Sequence, residues 1–252
     1  MIIIKNRIEL DLMKKAGQLT GMTLEMIADH IRPGISTQEL DALCEEFITR
    51  HGAKPSFKNY HGFTGSICAS VNEVVIHGIP SRKNILKEGD IISVDVGAYL
   101  NGFHGDAART FPVGDVSEEA RKLIRVTEES FFKGIEHAYE GRRLGDISHA
   151  IQKHVEDNGF TVVRDFTGHG IGRNLHEDPQ IPNYGKEGRG PRLNKGMVLA
   201  IEPMVNVGRY NVRILDDNWT TVTEDGKLSA HYENTVAITD GEPEILTLMR
   251  GI

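Results

Sequence analysis

Two aspartates, Asp95 and Asp106, are the first candidates for chemistry in this chain, because they lie eleven residues apart in one distinctive segment. Segment 91–110 reads IISVDVGAYLNGFHGDAART, with apolar residues alternating around the first aspartate and an Asn101-Gly102 pair near its middle. Asn-Gly between alternating runs is a strong hairpin signal, because both central residues of the tight turn need positive φ. The segment therefore predicts a β-hairpin that carries one carboxylate on each strand.

The register of this hairpin decides how close the two carboxylates come. If Leu100 and Phe103 flank a two-residue turn, Asp95 faces Ala108, and Asp106 is its diagonal neighbour on the same face. Diagonal neighbours have Cβ atoms roughly 7 Å apart. Carboxylates at that distance repel each other unless a cation lies between them. The alternative is a solvated strand edge for one of them, since Asp is depleted in strands.

Three further residues lie at strand ends or beside glycine. His169 lies between two glycines, which let a ligand approach closely. Glu202 lies within the apolar run 197–206, where a buried acid needs a partner. Glu233 precedes another apolar run. Singly, each has an ordinary interpretation as a surface acid or a structural histidine, but together with the two aspartates they fit one site.

The donor set indicates the class of ligand. Four carboxylates and one imidazole, without thiolate, disfavour a closed structural zinc site and suit Mn²⁺, Fe²⁺ or Co²⁺, with Zn²⁺ as an alternative. Two divalent ions bridged by two carboxylates would balance the four negative charges. Ions about 3.5–4 Å apart can hold a bridging water, lower its pKa and polarise a carbonyl. The sequence therefore predicts metal-assisted hydrolysis.

Helices and strands that position these residues are predicted on both sides of the hairpin. Apolar residues recur at three- and four-residue spacing over 7–31, which predicts an amphipathic helix ended by Pro33-Gly34. A capping box at 36–39 begins a second helix, which Gly52 closes. Short strands are expected next, at 66–71 and 74–76.

The second half of the chain has a similar pattern. Ser117 caps a predicted third helix that runs to about Tyr139, and a fourth helix is predicted at 146–158. Segment 184–193, rich in glycine and charge, is predicted to be a mobile surface loop. Strands are expected at 197–206, 219–223 and 231–239.

The two halves repeat each other at an offset of 107 residues, with these matching pairs: Gly34 and Gly141, Gly52 and Gly159, Gly89 and Gly196, Asp95 and Glu202. We therefore expect a single domain over 1–252, with pseudo-repeat halves at about 7–112 and 117–240 whose acids converge. Asp106 has no acidic counterpart, since Arg213 occupies the matching position. That asymmetry suits a bridging ligand at the middle of the site.

Composition and charge disfavour several classes of protein. A formal net charge of −7 and a pI near 5.9 argue against a general nucleic-acid or anionic-membrane surface. Cys44 and Cys68 form no disulfide framework, which fits a reducing compartment. No segment approaches the roughly 18 apolar residues of a membrane span. We therefore expect a cytoplasmic protein with no specific nucleic-acid partner and no membrane partner.

Five stretches together resemble the type I methionine aminopeptidases of the pita-bread fold, and the likeness covers essentially the whole chain: 72–80, 90–97, 168–172, 201–204 and 229–235. The combination is highly specific, whereas the Gly-His-Gly tripeptide alone would be weak. The resemblance implies an α+β, creatinase/aminopeptidase-like fold of two pseudo-symmetric halves, with antiparallel sheet flanked by helices. The zinc-finger extension of eukaryotic type I enzymes and the large insertion of type II enzymes do not occur in this sequence, so the likeness is to bacterial-type members.

The resemblance also implies roles for the site residues. Asp95, Asp106, His169, Glu202 and Glu233 would be the five metal ligands, with Asp106 and Glu233 bridging two divalent ions. His169 and Glu202 would complete one ion's ligands, and Asp95 would bind the other ion bidentately. Glu202 would also accept a proton from the bridging water.

Substrate contacts follow from the same resemblance. His77 would contact the substrate amide and His176 would polarise its carbonyl, roles that suit imidazoles. An apolar and aromatic methionine pocket, which favours a thioether through sulfur–aromatic contact, maps onto Phe57, Tyr60, Phe63, Cys68, Leu175 and Trp219. Phe57 and Leu175 depart from the Cys and Phe often found at these positions, which affects fine substrate preference rather than the reaction.

The implied activity is removal of the initiator methionine from nascent proteins and peptides with a small second residue, by attack of a metal-bridging hydroxide on the scissile carbonyl. The implied partner is the N-terminal methionine of nascent chains, and a monomer is expected. The Lys and Arg residues of 184–193 suggest contact with the ribosome surface. Two alternatives are an Xaa-Pro peptidase of the same fold, which usually carries an additional N-terminal domain, and a catalytically dead binding module, which should lack ligands. No ligand is missing here.

Overall fold

Residues 1–248 are described by a computed structural model, and within them the chain forms four α-helices and fifteen short or long strands. The helices are α1 (Arg7–Ala28), α2 (Thr37–Arg50), α3 (Glu118–Ile135) and α4 (Leu144–Asp157). The strands are β1 (Lys54–Pro55), β2 (Ile67–Val71), β3 (Val74–Ile76), β4 (Ile91–Leu100), β5 (Phe103–Pro112), β6 (Thr161–Val162), β7 (Gly168–Gly170), β8 (Glu177–Ile181), β9 (Val198–Ile201), β10 (Met204–Asn206), β11 (Val212–Ile214), β12 (Thr221–Thr223), β13 (Ser229–His231), β14 (Asn234–Ala237) and β15 (Glu244–Ile245). No helix in this part of the chain is long and apolar enough to cross a membrane.

The predicted hairpin is confirmed, including its register. Strands β4 and β5 pair antiparallel with Leu100 opposite Phe103 and Asp95 opposite Ala108. Asn101 and Gly102 both have positive φ, as the tight turn requires. Strand β4 also pairs with β1 and β2, so the hairpin is the centre of a four-stranded sheet.

The four predicted helices are confirmed, with shifted ends. Ser36 forms the expected capping box, and Ser117 caps α3 by accepting the backbone N–H of Ala120. The predicted end of α3 near Tyr139 is wrong, because the helix ends at Ile135. Beyond it, backbone N–H groups donate to carbonyls three residues earlier instead of four, which forms tighter turns. Helix α1 ends at Ala28, three residues earlier than predicted, in the same way.

Two long predicted strands are each broken at an acidic residue. The run 197–206 forms β9 and β10, which are separated by Glu202-Pro203, where proline supplies no N–H to the ladder. The run 231–239 contains the last residue of β13 and all of β14, which are separated by Tyr232-Glu233. The predicted strand at 219–223 begins two residues late, at Thr221. Residues 219 and 220 lie in a turn instead, where their backbone N–H groups donate to the Asp217 carboxylate.

Helices pack on the outer faces of the sheets. Helix α1 lies so close to the hairpin that a Cβ on Gly105 would come within 2.7 Å of the Gly17 nitrogen, so position 105 needs glycine. Helices α1 and α2 share one apolar core with β2, β4 and β5, while α3 and α4 share another with strands of the second half. The division into two pseudo-repeat halves stays a prediction.

Segment 184–193 is irregular, as predicted, but it is tied to the start of α4. The N–H groups of Leu144 and Gly145 donate to the carbonyls of Pro191 and Arg189, at 3.0 and 2.9 Å. Gly188 donates its N–H to the Asp146 carboxylate at 2.6 Å. These bonds restrain the loop, and its predicted mobility stays a prediction.

Candidate metal centre and substrate pocket

The breaks in the two long strands place Glu202 and Glu233 opposite each other. Strands β10 and β13 pair Met204 with His231, and strands β9 and β14 pair Ile201 with Asn234. These two pairs belong to one continuous antiparallel register, in which Glu202 faces Glu233. Each glutamate therefore lies where its strand leaves one sheet and enters another.

The hairpin is joined to this pair of strands beside the acids. Ala108 and Glu233 exchange both backbone hydrogen bonds, at 3.3 and 2.9 Å. The Asp106 N–H donates to Thr235 Oγ1 at 3.0 Å, and the same hydroxyl donates to the Asp106 carbonyl at 2.9 Å. These bonds hold the first-half aspartates against the second-half glutamates.

Three of the five candidate ligands form the centre of the site. Ligand atoms of Asp106, His169 and Glu233 all lie within 4.8 Å of one another. His169 Nε2 lies 3.6 Å from Glu202 Oε1 and 3.9 Å from Asp106 Oδ2. Asp95 lies outside this central group, opposite Cys68 in the sheet register.

His169 is oriented for a ligand role by its own backbone. Its Nδ1 lies 2.9 Å from the Gly170 carbonyl oxygen, which can only accept, so Nδ1 carries the proton. The lone pair of Nε2 then points at the acids. Burial lowers the pKa of His169 to about 3, which keeps the ring neutral.

The chemistry of the donor set fits divalent cations. Among residues 1–248, Asp95 Oδ1 and Asp106 Oδ1 are buried without a hydrogen-bond partner. Burial raises the pKa of Asp95 to about 7; burial and then repulsion between neighbouring carboxylates raise the pKa values of Asp106, Glu202 and Glu233. Buried carboxylates without counter-charge are costly, and metal ions offset that cost.

Metal ions should therefore stabilise the protein more at neutral than at acidic pH. The raised pKa values favour the folded metal-free protein below about pH 4, and that contribution is lost as the pH rises through about 7. Bound cations replace the lost protons, so the increase in Tm on adding Co²⁺ to chelator-treated protein should be larger at pH 7.5 than at pH 5. An increase that is equal or smaller at pH 7.5 would contradict this account.

A cavity of about 130 Å³ opens beside the acids. It is lined by all five candidate ligands and by all eight residues that the sequence predicts to bind substrate: Phe57, Tyr60, Phe63, Cys68, His77, Leu175, His176 and Trp219. The Phe63 and Trp219 rings meet edge to face at 5.1 Å, and His77 packs edge-on against Trp219 at 5.9 Å. The cavity thus has an apolar aromatic wall on one side and hard donors on the other.

Two neutral imidazoles complete the lining. Burial lowers the pKa of His77 to about 4 and also lowers the pKa of His176. The Tyr60 hydroxyl lies 2.6 Å from His176 Nδ1. If the hydroxyl donates, the proton of the neutral ring is on Nε2, where it is free to donate to a substrate oxygen.

Arg109 supports the site and was not predicted from the sequence. Its guanidinium is buried and donates to the carbonyls of Ala108 and Glu233 at 2.8 and 2.6 Å and to Asn234 Oδ1 at 2.8 Å. It also stacks on the Tyr232 ring at 4.0 Å. The only signal in the sequence is a charged residue inside a predicted strand.

Comparison with known proteins is consistent with this geometry. The profile of metallopeptidase family M24 matches residues 11–240. A protein of Clostridium perfringens named methionine aminopeptidase is 66% identical over 250 residues, which cover 99% of this chain and 100% of that protein. The relative in Bacillus subtilis named methionine aminopeptidase 1 is 58% identical over 98% of this chain and 99% of its own length.

Solved structures agree with the sequence comparisons. The crystal structure of methionine aminopeptidase from Thermotoga maritima matches with a TM-score of 0.97 and 49% identity, over 98% of this chain and 100% of that one. The chain therefore belongs to metallopeptidase family M24 and, within it, to the bacterial type I methionine aminopeptidases. The predicted α+β pita-bread fold is confirmed.

Proposed function

We propose that this protein removes the N-terminal methionine from nascent proteins and peptides whose second residue is small, in a metal-dependent hydrolysis. One observation carries the proposal: a single cavity is lined by the five candidate ligands, by apolar and aromatic side chains, and by the neutral imidazoles of His77 and His176. The first set suits hydrolysis of an amide, and the second suits recognition of a thioether side chain.

The five donors would hold two divalent ions, for which Mn²⁺, Fe²⁺ or Co²⁺ suit the set and Zn²⁺ is an alternative. When bound, such ions polarise a carbonyl and lower the pKa of a coordinated water. Asp106 and Glu233 would bridge the two ions, a role supported by their central position. His169 and Glu202 would serve one ion, and Asp95 the other.

Side chains of the protein would carry out the remaining steps of the reaction. Glu202 would accept the proton of the attacking water, because its carboxylate lines the cavity beside the other candidate ligands. His77 would donate to the substrate amide and His176 to the scissile carbonyl, both as neutral imidazoles. The acid cluster would also receive the free α-amino group, which restricts cleavage to chain ends.

The apolar wall would receive the methionine side chain. Phe57 and Leu175, the two departures from the family pattern, both line the cavity, so each is placed to contact the methionine side chain. We propose that they tune preference among apolar side chains, both unbranched and branched. Measured kcat/KM values for Met-Ala-Ser and its norleucine and leucine analogues would report that preference.

A pair of peptides separates this function from its same-fold rival. We expect the Co²⁺-loaded protein to release methionine from Met-Ala-Ser and to leave Ala-Pro uncut, because the apolar and aromatic lining of the cavity suits a thioether side chain. Met-Phe-Ser is the matched control and should be cut far more slowly. Cleavage of Ala-Pro alone would favour an Xaa-Pro peptidase, and failure to cut any peptide or bind metal would favour a binding module.

Location and partners follow from the same proposal. We propose that the protein acts in the cytoplasm, as a monomer, on chains that leave the ribosome. Lys186 and Arg189 are exposed on the loop 184–193, which supports contact of that loop with the ribosome surface.

A further inference from the structure

His231 is a buried histidine with no role in the function proposed above. It is the last residue of β13, directly before the break that carries Glu233, and is only 2% exposed. Its Nε2 has no hydrogen-bond partner among residues 1–248. A buried ring nitrogen without a hydrogen-bond partner costs free energy. We therefore expect another state of the site to supply the missing partner.

The unpaired nitrogen faces the carboxylates. His231 Nε2 lies 3.8 Å from Glu202 Oε2 and 4.0 Å from Glu233 Oε2. The other oxygen of Glu202, Oε1, lies 3.6 Å from His169 Nε2. The two oxygens of Glu202 therefore face two different imidazoles, one on the candidate metal side and one on the far side.

The backbone of His231 is fixed, so its ring is held at this distance. Its N–H donates to Thr110 Oγ1 at 2.9 Å, and its carbonyl accepts the same hydroxyl at 2.9 Å. In β10, Met204 pairs with it across the ladder. A closure of roughly 0.6–1 Å by the Glu202 side chain would bring Oε2 within hydrogen-bond distance of Nε2.

We infer that His231 is a positioning residue of the metal centre: its Nε2–H donates to Oε2 of Glu202 and keeps Oε1 turned toward His169. Metal-binding carboxylates need their second oxygen satisfied, and loss of such a partner typically lowers metal affinity or activity 10- to 100-fold. Glu202 is the proposed acceptor of this hydrogen bond, because its Oε2 lies nearer to His231 Nε2 than Oε2 of Glu233 does. The inference rests on the metal centre of the proposed function.

Three variants of the full-length protein test this role. His231→Leu removes the donor, His231→Gln keeps an N–H at similar reach, and His231→Asn keeps an amide that is too short to reach. A second cavity of about 210 Å³ borders the ring and can accommodate the new side chains. The matched control is His137→Leu, because His137 Nδ1 is also buried and unpaired but lies just after α3.

The readouts are Co²⁺ affinity by calorimetry, the visible absorption spectrum of the Co²⁺-loaded protein, and kcat and KM on Met-Ala-Ser. We expect His231→Leu and His231→Asn to weaken the tighter Co²⁺ binding about 10- to 100-fold, shift the spectrum and lower kcat with little change in KM. His231→Gln should stay within a few-fold of the parent on every readout, and His137→Leu should match it.

Other outcomes would overturn the inference. Parent-like Co²⁺ affinity and spectrum in His231→Leu and His231→Asn would show that His231 does not position Glu202. A defect in His231→Gln as large as that in His231→Leu would point to packing instead of donation. Absence of Co²⁺ binding in the parent protein would reject the metal centre itself, and with it the role of His231.

Discussion

Replacing Asp106 with alanine should abolish hydrolysis of Met-Ala-Ser, with a loss of about 10³-fold or more in kcat/KM. Removal of a ligand placed between two ions costs more than the 10- to 100-fold typical of a supporting residue. Its carboxylate lies within 4.8 Å of ligand atoms of both His169 and Glu233, so its loss affects the centre of the site. The measurement is kcat/KM at saturating Co²⁺, with metal content determined on the same sample.

Thermal unfolding separates a lost ligand from a lost fold. The backbone bonds of Asp106 to Thr235 remain in the alanine variant, and repulsion among buried carboxylates falls, so the metal-free variant should unfold no earlier than the parent. Asp11→Ala, at an exposed position on α1, is the matched control and should retain parent activity. Near-normal turnover by Asp106→Ala would refute the two-ion assignment.

Replacing Glu202 with glutamine should lower kcat about 10²- to 10⁴-fold while KM changes little. The amide has nearly the same shape but cannot accept a proton, and general-base catalysis typically contributes that range. The glutamine variant must be compared with the parent at Co²⁺ concentrations where both bind equal metal, because Glu202 is also a proposed ligand. A kcat within a few-fold of the parent under those conditions would remove Glu202 from the role of base.

Local signals made the hairpin and the helix starts predictable. Asn101-Gly102 fixes the turn, and the turn fixes which residue faces Asp95, so the register follows from two residues. The caps at Ser36 and Ser117 likewise depend on side chains within three residues of the helix start. Helix ends were less predictable, because they depend on tight backbone turns that the apolar pattern does not mark.

The interior of the site was only partly predictable. Acid type, spacing and the repeat at 107 residues suggested which residues converge, whereas the pocket residues came from family resemblance. Apolar residues lie on both sides of Glu202 and of Glu233, so each segment was predicted as one continuous strand, although Pro203 is a break signal in the first. Support from Arg109 depends on contacts with a segment more than 100 residues away, and support from His231 on a contact with a different strand, and no local pattern encodes either.

Hydrolysis of Met-Ala-Ser against equivalents of Co²⁺ added to chelator-treated protein tests the central claim most directly. We expect no cleavage by the stripped protein, a rise in activity as Co²⁺ fills the site, and a plateau by about two ions per chain. Cleavage by the stripped protein at the loaded rate, or Co²⁺ uptake with the peptide left intact, would contradict the claim that this site is a metal-dependent aminopeptidase.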